Sequence, residues 1–260
     1  MDSSKRQPEL SPKYFKVIAC EIAVRELCQT AAKARNIVDF EFLTQGYHDT
    51  PAAGREEIQK RIDSTPAGKY DAIILGYGLC SSILTGLKTS HTPLVAPKAH
   101  DCITFFLGSK EKYQESFESN PGTYYYTSGW LECAQRRKLS NIFVSTTSQT
   151  GTSPVFLEWV RKYGEEKAQY LMEVMGEWAA NYSRGMLIDF DFTKSLELDK
   201  RVQQICSERG WEYARTEGDL GLLERLLEGD WRENEVLVLE PGFRIVPAFD
   251  GQIIAKEKGN

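Results

Sequence analysis

Short apolar runs alternate with stretches of helical periodicity along the first part of the chain, and that order restricts the fold more than any other feature. Phe15 to Ala19 (FKVIA) is a buried-strand pattern. From Glu21 to Arg35 the residues Ile22, Ala23, Leu27, Cys28, Ala31 and Ala32 recur at helical spacing. Val38 to Leu43 alternates as a strand, Gln45 to Pro51 is a turn, Gly54 to Ser64 reads as a helix, and Asp71 to Leu75 (DAIIL) is again a strand. A β-α-β-α-β series of this kind builds a parallel sheet covered by helices. Pro93 to Ala96 (PLVA) adds a further strand.

The character changes between about Asn120 and Arg184. Pro121-Gly122 is a turn, Tyr124-Tyr125-Tyr126 an extended aromatic run, and Pro154 to Tyr182 one long or two consecutive helices. The first pattern then returns: strand Met186 to Phe190 (MLIDF), helix Leu196 to Arg209, strand Glu212 to Arg215, helix Asp219 to Glu228 and strand Val236 to Leu239 (VLVL). The expected architecture is α/β, with two pseudo-symmetric βαβαβ lobes, mainly parallel sheets and a helical middle segment. The expected divisions are a disordered tail over 1–14, a first lobe over 15–120, a connecting segment over 121–185 and a second lobe over 186–260.

At 260 residues the chain can bury roughly 70–75% of its unfolded surface, so neither metals nor disulfides are needed to hold it together. A net charge of -5 provides no footprint for nucleic acid; the longest basic cluster is Arg136-Arg137-Lys138. No apolar run approaches the ~20 residues that span a bilayer. The polar start, Met1 to Pro8, lacks the apolar stretch of a secretion signal, so a cytoplasmic setting with free cysteines is expected.

Cysteine placement carries the sharpest chemical signal. Cys20, Cys80 and Cys102 each lie past the carboxyl end of an expected parallel strand, the edge at which open α/β sheets bind ligands. Cys20 also precedes a helix, whose dipole favours thiolate. Cys80 follows Gly76-Tyr77-Gly78-Leu79, where two glycines permit close backbone approach to a ligand, and His100 brings an imidazole to the Cys102 loop. Three thiols and one histidine can hold zinc tetrahedrally, or leave one position open for a reactive ligand. Cys28 and Cys206 read as small residues on apolar helix faces, and Cys133 has no readable geometry. His48, in the loop after the second strand, is a candidate ligand or proton carrier.

The second lobe offers Asp189, Asp191, Glu217, Asp219, Glu240 and Arg244. If the lobes face one another, these residues can hold or polarise a small-molecule substrate, together with His48, Tyr77 and Gly78. Tyr124 to Tyr126 and Trp130 can wall a flat cofactor, although a packed strand is the commoner use of such a run. No Walker loop, complete dinucleotide fingerprint or nucleophile elbow occurs.

Ala19-Cys20-Glu21, Gly76-Tyr77-Gly78-Leu79-Cys80-Ser81, Ala99-His100-Asp101-Cys102-Ile103 and Gly108-Ser109-Lys110-Glu111 together resemble the family numbered 1638 among domains of unknown function. Pro121-Gly122-Thr123-Tyr124, Gly129-Trp130, Tyr163-Gly164 and Gly218-Asp219-Leu220 extend the resemblance from about Lys16 to Arg244. The resemblance implies a neighbourhood of corrinoid-dependent methyltransferase systems, hence corrinoid or one-carbon metabolism. His100-x-Cys102 also looks like the start of the zinc site of cobalamin-dependent methyltransferases, but those enzymes are barrels and here the other cysteines lie upstream.

The reading is a metal-binding protein with Cys20, Cys80, Cys102 and His100 as ligands. Zinc ranks first and an iron-sulfur cluster second, with methyl or other group transfer as the activity and corrinoid as a further cofactor. The rival is a non-catalytic carrier or chaperone of metal, cluster or corrinoid for a partner methyltransferase. A third alternative is a metal-free thiol enzyme acting through Cys20.

Overall fold

Phe15, Val17, Ile18 and Ala19 are all fully buried although successive side chains point to opposite faces of a strand. The segment therefore needs cover on both sides, as an interior strand of a parallel sheet does. In a computed structural model, which describes residues 11–80, 82–136, 160–161, 164–170, 181–249 and 251–259, this segment is β1 (Tyr14–Cys20). It lies between β2 (Ile37–Leu43) and β3 (Ala72–Gly76), parallel to both. β4 (Leu94–Pro97) continues the parallel set beyond β3, and β8 (Val236–Leu239) closes the sheet antiparallel to β4. The order is β2-β1-β3-β4-β8.

A three-residue 3-10 turn, Glu21–Ala23, separates β1 from α1 (Val24–Ala31). α2 (Pro51–Asp63) starts with proline in its first turn, where no backbone donor is lost, and buries Gly54, Ile58 and Ile62 at intervals of four. A side chain at Gly54 would meet Tyr47 and Ile83 at 2.7 Å, so the helix approaches its neighbours through this residue.

The chain divides into two compact units, the first made of residues up to Cys102 and from Gly221 onward, the second of Ile103–Leu220. In the first unit α7 (Gly221–Glu228) buries Leu222, Leu223, Leu226 and Leu227 and packs on α1. The Asn36 side-chain amide donates to Leu227 O at 2.9 Å, tying the returning chain to the start of β2. β9 (Phe243–Pro247) and β10 (Ile254–Lys258) form an antiparallel pair.

The second unit contains α3 (Ile103–Leu107), α4 (Lys110–Ser119), β5 (Thr123–Tyr126), α5 (Ser128–Arg136), β6 (Arg184–Asp189), α6 (Leu198–Arg209) and β7 (Glu212–Glu217). Its three strands are parallel in the order β5-β6-β7. Ser109 caps α4, its Oγ accepting from Lys112 N at 3.1 Å. Ser109→Ala is expected to weaken that helix by about 1 kcal/mol. Faster amide hydrogen exchange confined to the first turn of α4 would register the loss, and unchanged exchange would show the cap to be idle.

The α/β class with mainly parallel sheets is found, but the partition differs from the expected lobes. β8 joins the first sheet, so a lobe over 186–260 does not form, and the aromatic run over 124–126 is the first strand of the second sheet, not part of a connector. An apolar run such as VLVL specifies a buried strand without specifying its partner. The tail over residues 1–10 lies outside the described residues, and β1 has already begun at Tyr14. Most of the helical stretch expected over 154–182 also lies outside them; residues 165–170 are helical. No helix among the described residues is long and apolar enough to cross a membrane.

Candidate functional site at the carboxyl edge of the first sheet

β2 lies on one side of β1 and β3 on the other, so the chain reverses its direction of sheet growth between β1 and β3. Loops leaving neighbouring strands at such a switch point diverge and open a crevice at the carboxyl edge. Ala19 pairs with Gly76, which brings Cys20, the last residue of β1, level with Tyr77, the first residue beyond β3. Cys20 and Cys80 pack on the core cluster that contains Ile18, Leu43, Leu75, Tyr77 and Ile83.

Two backbone hydrogen bonds clamp the loop after β3 to the loop after β4: Leu79 N to Ala99 O at 2.8 Å and Cys80 N to His100 O at 2.9 Å. Gly78 permits this approach, since a Cβ there would lie 2.7–2.9 Å from the backbone N, Cα and C of Asp101. The glycine thus serves loop-to-loop packing, and Gly76 likewise admits the Ala19 side chain. Beyond the clamp, Cys80 and Ser82 hold positive φ angles of 35° and 67°. Left-handed backbone is uncommon for residues other than glycine and is concentrated where surrounding structure enforces it. Ser81 between them lies outside the described residues.

The three expected thiols meet electrostatically at this edge. Burial pushes the Cys102 thiol well above its ordinary range, and the charges of Cys80, Asp101 and Cys20 add to that effect. Burial, and then the Asp101 carboxylate, push Cys80 up to about 12, against hydrogen bonding from the backbone N–H groups of Gly78 and Cys102. Both residues retain some surface accessibility, yet the protein around their sulfurs suffices to disfavour thiolate. The metal-free edge therefore presents neutral thiols at Cys80 and Cys102. Among the described residues, no group of three or more His, Cys, Asp or Glu side chains is positioned to hold a metal ion.

Tyr77 belongs to the same edge. It is 4% exposed, and its Oη is buried without a hydrogen-bond partner. Burial raises its pKa far beyond the ordinary phenol range, with the charges of Cys20, Cys80, Tyr47 and Glu21 contributing in that order. Cys20 caps only the short 3-10 turn Glu21–Ala23, so the helix expected directly behind it begins later, at Val24.

Both candidate histidines are exposed. The His100 carbonyl forms the clamp to Cys80 N. His48 Nδ1 lies 3.9 Å from Asp49 Oδ1. Arg244 is exposed on β9 and pairs with Glu257, so its guanidinium has an internal carboxylate partner. Of the other cysteines, Cys206 packs with Val202 and Leu187, and Cys133 is buried, but Cys28 is exposed, contrary to its expected place in the core.

Glu217 belongs to the second unit, where Asp189, Phe190, Asp191, Lys194, Arg215 and Thr216 line with it a cavity of 330 Å³ at the carboxyl ends of β6 and β7. Asp189 is 4% exposed and accepts from Thr193 Oγ1 at 2.8 Å and from Arg215 Nη2 at 2.6 Å. Asp219 pairs with Lys112 Nζ at 2.6 Å, and Glu240 in the first unit with Lys256 Nζ at 2.7 Å. Tyr124 packs with Tyr126, Trp130, Tyr182 and Trp211, so this aromatic run forms a packed cluster.

No curated protein and no solved structure matches the chain. A family described as a protein of unknown function, DUF1638, matches residues 42–227, a span that contains Tyr77, Cys80 and Cys102 and starts after Cys20. Since that span is well over half of the sequence, the chain belongs to the DUF1638 family.

Proposed function

We propose that the edge formed by Cys20, Cys80 and Cys102 binds a thiophilic metal, zinc before an iron-sulfur cluster, and presents it to a small-molecule substrate. The carrying observation is that the two clamped loops after β3 and β4, with the end of β1, bring Cys20, Cys80 and Cys102 to one carboxyl edge at a sheet switch point. A divalent cation supplies the positive charge that turns buried thiols into thiolates, with release of their protons. Side chains must draw together around the ion, because the thiols do not form a ligating group beforehand. Three protein sulfurs leave a fourth position for an exogenous ligand, the arrangement of catalytic rather than structural zinc.

A zinc ion held by these three cysteines would supply Lewis-acid chemistry, lowering the pKa of a thiol bound beside it. The resulting thiolate can attack the methyl carbon of a methyl donor; a carbon–sulfur bond forms, and the donor departs with the electron pair of the broken bond. A methylated corrinoid is the donor we propose, with corrinoid or one-carbon metabolism as the setting, in keeping with the neighbourhood that the family resemblance implies.

Delivery of a metal, cluster or corrinoid to a partner methyltransferase is the second reading. It draws support from Glu240 in the same unit, an acidic residue that a catalyst would use, whose carboxylate is held by Lys256 Nζ at 2.7 Å. Metal and sulfide analysis, with an absorption spectrum, of protein purified without oxygen tests the site itself. Close to one zinc or one cluster per chain is expected, and Cys80→Ser should lose most of it. A wild-type protein that stays metal-free even after reconstitution would sink the proposal.

A further inference from the structure

We infer that the cavity at the carboxyl ends of β6 and β7 binds a small zwitterion of the α-amino-acid class, whose carboxylate meets the Arg215 guanidinium and whose ammonium group meets the Glu217 carboxylate. The site is built within the second unit and does not depend on the metal proposed for the first.

β6 ends on Asp189 and β7 on Glu217, and the two residues are register partners in a parallel pair. Paired positions share a face of the sheet, so two carboxylates leave this edge side by side and repel one another. Only Asp189 is answered from within the protein. One of its oxygens accepts from Thr193 Oγ1 at 2.8 Å and the other from Arg215 Nη2 at 2.6 Å, which satisfies a carboxylate that is almost wholly buried. Glu217 is exposed and, among the described residues, forms no hydrogen bond or ion pair. Arg215 lies two residues before Glu217, on the same face of β7. A guanidinium that served only to neutralise Asp189 would be buried with it, yet the Arg215 side chain is 46% exposed and lines the cavity. Its Nη2 is engaged with Asp189, whereas Nη1 lies 3.7 Å from Asp199 Oδ2, beyond hydrogen-bonding range. Donors therefore remain on a fork that the buried carboxylate holds in place, pre-organised to grip the carboxylate of a ligand.

A lining of both signs selects the ligand. Asp191 pairs with Lys194 at 2.5 Å and Asp189 with Arg215, so the charge left over is that of Glu217. An anion alone meets Asp191 and Glu217, and a cation alone meets Arg215 and Lys194; a molecule that carries both charges sets each against its opposite. Among the described residues these carboxylates are not positioned to hold a metal ion. An ammonium group, which needs hydrogen-bond acceptors rather than a coordination shell, is the cation that the Glu217 carboxylate fits. A volume of 330 Å³ is at the small end of ligand pockets and suits a free amino acid better than a peptide or a nucleotide. The carboxyl ends of parallel strands are also where open α/β sheets bind ligands.

Calorimetric titration of the full chain with each of the standard L-amino acids is the test. At least one is expected to bind with a Kd of about 1 mM or tighter. For that amino acid, the amide, which lacks the anionic charge, and the deaminated acid, which lacks the ammonium group, should each bind at least about tenfold more weakly. Glu217→Gln changes an exposed side chain and should weaken the amino acid at least about tenfold while leaving the deaminated acid unaffected. Arg215→Lys keeps a cation beside Asp189 but loses the fork, and should weaken both ligands. Absence of binding by every amino acid would overturn the inference, as would an amide or a deaminated acid that binds as tightly as its parent, or full affinity for the amino acid in either variant. Equal weakening of amino acid and deaminated acid by Glu217→Gln would mean that the cavity is lost as a whole, and would overturn the pairing of Glu217 with the ammonium group.

Discussion

Iodoacetamide is expected to alkylate Cys80 of the metal-free protein at pH 8 about fifty times more slowly than an unperturbed, accessible thiol. Only thiolate reacts, and a thiol pushed up to about 12 holds about a thousandfold less thiolate at that pH than one with the ordinary value near 9. The more basic thiolate is intrinsically the better nucleophile, which recovers a factor of about twenty. Partial burial slows the reaction further. Peptide mapping by mass spectrometry across pH 7 to 10 reads the rate at each cysteine separately. Rapid labelling of Cys80 at pH 8 would mean that the fold stabilises its thiolate without a cation, and would move the function toward metal-free thiol chemistry.

The same displacement fixes the sign of a stability effect. Unfolded thiols lose their protons near pH 8.5, whereas folded Cys80 keeps its proton up to about 12. Between those limits the folded state binds more protons. The contribution is fully present below about pH 8.5 and declines by about 1.4 kcal/mol per pH unit and per thiol as pH rises. Cys102 is displaced in the same direction and adds to the decline. Loss of stability of the metal-free protein above pH 9 and slow alkylation of Cys80 thus have one origin, burial of groups that a bound cation would deprotonate.

The legible parts of the fold are those in which local pattern and tertiary role coincide. FKVIA and DAIIL became β1 and β3 because runs apolar on both faces suit a covered parallel sheet, and their carboxyl ends follow from chain direction. Chain direction alone therefore places Cys20, Cys80 and Cys102 at one edge, whatever the strand pairing. Partner choice left no such mark: VLVL is equally compatible with either sheet, and pairing antiparallel to β4 depends on where α7 packs. Adjacency to Leu27 does not put Cys28 in the core. The buried face of α1 is made by Glu26, Leu27 and Thr30, and Cys28, about 100° past Leu27 and about 200° past Glu26, turns outward from it. In the motif Gly76-Tyr77-Gly78 the glycines suggested room for a ligand; packing uses that room for Ala19 and Asp101, and the unpartnered group is the tyrosine between them.

Gly78 should consequently be the most sensitive small residue at the site. Its Cβ would meet Asp101 N, Cα and C at 2.7–2.9 Å, and backbone atoms cannot rotate aside as a flexible side chain does. Gly78→Ala therefore has to part the two loops, which strains or breaks the Leu79–Ala99 and Cys80–His100 hydrogen bonds. Overpacking costs about 1–3 kcal/mol, and each of the two weakened hydrogen bonds about 1 kcal/mol, so a destabilisation of about 3–5 kcal/mol is expected. Gly68→Ala is the appropriate control. At φ +74° with nothing within 4 Å, it tests backbone strain without collision, and it should cost only about 1 kcal/mol. Urea unfolding of both variants gives the comparison, and cobalt(II) titration should show the site weakened in Gly78→Ala and unchanged in Gly68→Ala. If Gly78→Ala equals wild type in both measurements, the two loops have freedom to separate, and the clamp cannot be what holds Cys80 beside Cys102.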